Sequence, residues 1–216
     1  MESAANRAEP IDNRLFILIL QHPREQREPL ATAALTVATL RRAALVVGLS
    51  WANLGQALGR PADPRRWAVL YLGAARPKGF GPDQEIVAVD RRGEPLADQP
   101  AMLRNLDGAV LLDGSWSEVK ALWWRNPWLL KMRRVVLAPQ HPSHYHRIRR
   151  EPRREALSTI EAAGLLLARI DNRPQIETAL TEALERMIAE AGRRHPAAAV
   201  TSGSVRRSGS PPPRRR

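Results

Sequence analysis

The stretch Gly108-Ala-Val-Leu-Leu-Asp-Gly-Ser-Trp-Ser-Glu-Val-Lys120 constrains this chain most. Residues 108 to 112 are apolar without interruption, as in a strand covered on both faces. The run stops at Asp113-Gly114, and Ser115 stands three residues before Glu118, the spacing of a capping box at a helix start. Gly114 lets the backbone bend or approach a ligand. A strand, a tight turn and a helix N-terminus in succession are one half of an α/β unit. In open α/β sheets, ligands bind just beyond the carboxyl ends of the strands, and Asp113 occupies that position.

The remaining elements agree with an α/β fold. Arg14 to Leu20 reads as a buried parallel strand, stopped by Pro23, which lacks an N–H and restrains His22. Residues 31–42 have helical composition. Ala43 to Val47, Trp67 to Leu72, Glu85 to Asp90 and Arg134 to Ala138 read as further strands, with the segment from Glu85 at an edge. Ala97 to Asn105 reads as a helix. Ser158 and Glu161 form a second capping box, and Pro174 opens a last amphipathic helix reaching residue 191. The expected organisation is a disordered stretch at 1–13, an α/β domain with a mainly parallel sheet flanked by helices at 14–191, and a basic disordered tail at 192–216.

Charge narrows the partners. The 216 residues carry 34 Lys and Arg against 22 Asp and Glu, a net charge of +12. Residues 193–216 contribute +7 of this and the rest of the chain +5. The excess points to a polyanion, or else to a solvated compositional bias. Trp123, Trp124 and Trp128 lie among Lys120, Arg125, Lys131, Arg133 and Arg134, an interleaving that suits stacked bases and phosphates; at least one of Trp123 and Trp128 is expected in the core instead. There is no cysteine, hence no disulfide and no cysteine-ligated zinc. No apolar run reaches the roughly 18 residues of a membrane span, so the expectation is a cytoplasmic protein without membrane contact. His141, His144 and His146 are spaced too irregularly to indicate a metal site. Glycine-rich nucleotide loops and nucleophile elbows are absent.

Four segments in order carry a resemblance: Leu20-Gln-His-Pro-x-Glu25 with Thr32, Asp113-Gly-Ser-Trp116, the Ser143/Tyr145/Arg149 loop, and Leu157-Ser-Thr-x-Glu161. Together they resemble the motifs of the DTW-domain tRNA-uridine aminocarboxypropyltransferases over residues 14–190. Ser115 replaces that family's threonine and keeps its hydroxyl. At 31–34 only Thr32 is retained, and the N-terminal zinc-binding cysteines of many members are missing, so no structural zinc is implied.

The resemblance implies a SPOUT-like fold with a C-terminal trefoil knot. It also implies transfer of the 3-amino-3-carboxypropyl group of S-adenosylmethionine to N3 of a tRNA uridine. On that basis Asp113 is the catalytic candidate, as a general base for the N3 proton or as a partner of the sulfonium or ammonium; a purely structural role in the turn is the alternative. His22, Pro23, Glu25, Thr32, Gly114, Ser115, Trp116, Ser158, Thr159 and Glu161 are candidates for holding S-adenosylmethionine. For Trp116 the competing role is packing the helix onto the sheet, and for His22 a place on the surface at a strand end. Lys120, Arg125, Tyr145, Arg147, Arg149 and Arg150 are candidates for holding tRNA. A catalytically silent RNA-binding protein and an S-adenosylmethionine-dependent RNA methyltransferase are the alternative functions.

Overall fold

The computed structural model describes residues 9–28, 32–70, 84–139 and 157–194. Six strands form one sheet: β1 (Phe16–Gln21), β2 (Ala43–Val47), β3 (Trp67–Leu70), β4 (Ile86–Val89), β5 (Gly108–Asp113) and β6 (Arg133–Leu137). Their order is β2-β1-β5-β3-β6-β4. All pairings are parallel except that of β4 with β6, which is antiparallel and places β4 at the edge. β5 therefore lies between β1 and β3, and every residue of it is buried, as its unbroken apolar run requires.

Side chains on successive strand residues point to opposite faces, and this divides the core in two. Ile17, Ile19, Ala109 and Leu111 pack with α1 (Thr32–Thr39), α5 (Thr159–Ile170) and α6 (Pro174–Arg194). Leu18, Leu20, Val110 and Leu112 pack with α2 (Leu54–Leu58), α4 (Trp116–Arg125) and the following turn through Trp128 and Leu129. Helix α3 (Gln99–Arg104) precedes β5, as expected from the sequence. Among the described residues, no helix is long and apolar enough to cross a membrane.

Gly108 opens β5 beneath the Trp67 indole. A Cβ there would lie 2.6 Å from two ring carbons, and Trp67 is fully buried against Phe16. Gly108→Ala is therefore expected to overpack this core and cost about 1–3 kcal/mol, measured by urea unfolding.

Two boundaries differ from the sequence reading. Residues 9–13 are not all disordered. The Ile11 N–H donates to the Thr39 carbonyl and the Arg41 N–H to the Ile11 carbonyl. The buried Asn13 amide donates to the carbonyls of Leu15 and Arg42 and accepts from the Arg42 N–H. A polar segment is ordered here because its hydrogen-bond partners come from distant chain. At the other end, α6 continues through Gly192 to Arg194. The connection from β6 to α5, on which a knot depends, falls in residues outside those described.

Candidate active site

β1 and β5 run side by side in register, so Gln21 and Asp113 end their strands as direct neighbours. The His22 N–H extends the ladder by donating to the Asp113 carbonyl at 2.9 Å. The Gln21 Nε2 donates to Asp113 Oδ2 at 2.8 Å, and the Thr159 hydroxyl donates to Asp113 Oδ1. Asp113 is only 8% exposed and Gln21 2%. Two donors thus hold the carboxylate by separate oxygens, and each oxygen retains acceptor capacity for a further donor. This single side chain joins the end of β1, the end of β5 and the start of α5.

Gly114 has φ +150°, and a Cβ there would stand 3.0 Å from the Cβ of Glu118 and 3.3 Å from that of His22. The close approach explains the glycine. It lets the turn press against His22 while α4 begins at once. Ser115 is the N-cap of α4, and its N–H and hydroxyl both donate to Glu118 Oε2, at 2.8 and 2.7 Å. The other carboxylate oxygen faces His22, whose Nδ1 lies 3.4 Å away. That same Nδ1 accepts from the Arg24 N–H at 3.3 Å when it is unprotonated. α5 begins in the same manner, with the Ser158 N–H and hydroxyl donating to Glu161 Oε2 at 2.9 and 2.6 Å. α4 and α5 lie on opposite faces of the sheet, yet both start at this end. Their positive dipole ends flank Asp113 and favour negative charge there.

Burial pushes the Glu118 carboxyl upward, but the Ser115 hydroxyl and N–H, with the nearby His22 and Arg24, outweigh it and hold the group below its ordinary value of 4.5. A depressed carboxylate contributes stability that is present above its unfolded pKa and lost as pH falls through the folded one. Glu118→Gln is therefore expected to lower stability at pH 7 by roughly 1 kcal/mol, the scale of a lost cap. It should also flatten the decline seen below about pH 4.5, measured by thermal unfolding across a pH series.

The structure brings His22, Asp113, Gly114, Ser115, Ser158, Thr159 and Glu161 to one end of the sheet. Pro23 starts the 3-10 turn Pro23–Arg27 directly after His22, and Glu25 is buried within it. Thr32 is buried at the start of α1, where its carbonyl accepts from the Thr36 hydroxyl. Trp116 is only partly covered by its surroundings: it is 45% exposed, with the Lys120 ammonium 5.5 Å from its ring centre. Trp128 is the ring that fills core, its indole N–H donating to the Trp51 carbonyl at 2.9 Å. Lys120 and Arg125 are exposed on α4. Ser143, Tyr145, Arg147, Arg149 and Arg150 lie outside the described residues. Gln21 is the member that sequence reasoning missed. It lies inside the Leu20-Gln-His-Pro-x-Glu25 segment, but its partner Asp113 follows only from cross-strand register.

A family model described as the DTW domain matches residues 4–191. The tRNA-uridine aminocarboxypropyltransferase 2 of Drosophila melanogaster is 31% identical over 172 residues, 78% of this chain and 61% of the fly protein. The proteins of the same name from Macaca fascicularis and Mus musculus are each 25% identical, over 82% of this chain and 55% and 54% of their own length. The chain thus spans little more than half the length of these relatives. No solved structure matches it. Matched over most of its length, with the Asp-x-Ser-Trp turn at the centre of the clustered motifs, the chain belongs to the DTW-domain family.

Proposed function

We propose that this protein transfers the 3-amino-3-carboxypropyl group of S-adenosylmethionine to N3 of a tRNA uridine, on a SPOUT-like fold. The observation that carries the reading is the buried carboxylate of Asp113, held by Gln21 and Thr159 where two helix N-termini converge on the sheet's carboxyl end. The names of the relatives support the same reaction.

The residues present fit the donor's charges. Its sulfonium and ammonium are cations, and Asp113, Glu118 and Glu161 gather at this end of the sheet. Its carboxylate is an anion, and the starts of α4 and α5 offer positive dipole ends. His22, Pro23, Glu25, Thr32, Gly114, Ser115, Ser158, Thr159 and Glu161 are assigned to this pocket, and the half-exposed Trp116 to the edge between the pocket and the outer face of α4. Bound S-adenosylmethionine supplies a carbon made electrophilic by the adjoining sulfonium, with methylthioadenosine as the leaving group.

Uridine N3 attacks only after losing its proton, and a positioned carboxylate is suited to receive it. Asp113 takes that proton on Oδ1 or Oδ2. Gln21 and Thr159 keep the carboxylate from rotating away, so orientation is established before the substrate arrives. Ser115 and Ser158 fix the two helix ends around it through their capping boxes. Lys120 and Arg125 on α4, with Tyr145, Arg147, Arg149 and Arg150, hold the RNA.

The test is incubation of the protein with unmodified tRNA and S-adenosylmethionine labelled in its carboxypropyl carbons, followed by nucleoside mass spectrometry. A uridine heavier by one labelled aminocarboxypropyl group is the expected product. A labelled-methyl control yielding methylated nucleoside instead would replace the proposal with a methyltransferase, and tRNA binding without modification would favour the silent binder.

A further inference from the structure

Helix α4 presents two faces of opposite character. Val119 and Leu122 are buried beneath it. The outer face carries Trp116, Lys120 and Trp124 at intervals of four residues, which an α-helix aligns in one stripe. Trp124 is 79% exposed, the most exposed large apolar side chain among the described residues. Lys120 stands between the two indoles along the stripe and rests over the ring of Trp116. The buried indoles of Trp67 and Trp128 fill this side of the core, whereas the Trp124 ring projects into solvent. The stripe begins next to Ser115 at the site and extends away from it by about 12 Å. It ends at the loop following β2, where Asn126 Nδ2 donates to the Leu49 carbonyl.

The chain through and after the stripe is predominantly basic. From Gly114 to Pro139 the chain holds Lys120, Arg125, Lys131, Arg133 and Arg134 and a single acid, Glu118. That acid is turned inward to Ser115 and His22. Two rings separated by a cation make a poor continuous apolar patch for a protein partner. They match the aromatic and cationic alternation of single-stranded nucleic-acid surfaces, where rings stack on bases of any sequence and cations meet phosphates.

Resting on the reading of an RNA uridine as acceptor, we infer that the Trp116–Lys120–Trp124 face of α4 is a stacking ledge for unpaired nucleotides beside the target uridine. An unpaired segment is the right occupant because a base within a duplex presents no face to an indole. The ledge adds grip on flanking nucleotides without taking part in proton transfer, and its tolerance of any base leaves choice of the uridine to the pocket at Asp113.

The ledge is tested by the affinity of the full chain for an unmodified tRNA transcript and for a short uridine-rich single strand, at two salt concentrations. Trp124→Ala is expected to weaken single-strand binding roughly 5- to 100-fold, the worth of one lost stack. Trp124→Phe should recover most of it. Lys120→Ala should lower the slope of log affinity against log salt by about one. Trp124 is exposed, so circular dichroism and melting temperature should not change. Wild-type affinity in Trp124→Ala overturns the inference, as does failure of the unaltered protein to bind either RNA. A loss of self-association in Trp124→Ala at unchanged RNA affinity would make this face a contact between copies and likewise overturn it. The transferase reading fails separately. Trp124-dependent RNA binding without any transferred group leaves the ledge and removes the enzyme, while labelled product at wild-type affinity in Trp124→Ala does the reverse.

Discussion

Asp113→Asn is expected to reduce transfer by about 100- to 10,000-fold, the range assigned to a positioned general base, while the fold survives. The substitution keeps the shape of the side chain. Its remaining oxygen still accepts from the Thr159 hydroxyl. Its new amide nitrogen faces the Gln21 amide, a contact of two donors that Gln21 relieves by turning its own Oε1 to accept from the new group. Stability should therefore move by no more than about 1 kcal/mol, one hydrogen bond exchanged for another. What disappears is the charge proposed to receive the N3 proton. Single-turnover transfer of the labelled group reads the loss directly, and RNA affinity measured alongside should stay within about twofold, because no phosphate-neutralising cation is altered. A variant that keeps about a tenth of normal turnover, well above the general-base range, would return Asp113 to a structural role in its turn.

Gln21→Glu is expected to produce the largest pH effect in this protein. Gln21 is 2% exposed and its Nε2 lies 2.8 Å from Asp113 Oδ2. Exchanging the amide for a carboxyl sets two carboxylates in contact, and two such groups cannot both ionise. One must keep a proton, so the pair carries a pKa raised above that of an unfolded carboxyl. A raised value reverses the usual sign for an acid: its contribution is retained below the unfolded pKa near 4.3 and lost as pH rises through the folded one. The variant should be destabilised at pH 7 by roughly 3–5 kcal/mol, the scale of a buried uncompensated charge. It should recover towards pH 4, where the two groups share a proton. Urea unfolding at several pH values between 4 and 8 tests this, and a variant as stable at pH 8 as at pH 5 would mean that the two side chains are not held together.

Much of this site is legible in the linear sequence. The unbroken apolar run of β5, its halt at Asp113-Gly114 and the Ser115–Glu118 and Ser158–Glu161 spacings are local patterns. Each has a local cause, since strand burial, glycine geometry and helix capping act within a few residues. The edge position of the segment from Glu85 is of the same kind and agrees with β4. Trp116 shows where local reasoning stops. Its position in the signature says nothing about which face of α4 meets the sheet, and the structure turns it half outward beside Lys120. The order of residues 9–13 likewise depends on partners contributed by residues 39–42.

Local pattern therefore specifies the elements and the kind of chemistry: parallel strands, capped helices and a carboxylate at a strand end. What that carboxylate touches is a matter of long-range packing. Gln21 and Thr159 are separated from Asp113 by 92 and 46 residues, and their meeting depends on the register of β1 against β5 and on the start of α5 at the same sheet end. Register is set by the whole buried interface on both faces of the sheet. A single residue of slip would carry Gln21 to the opposite face and leave Asp113 without one of its two donors.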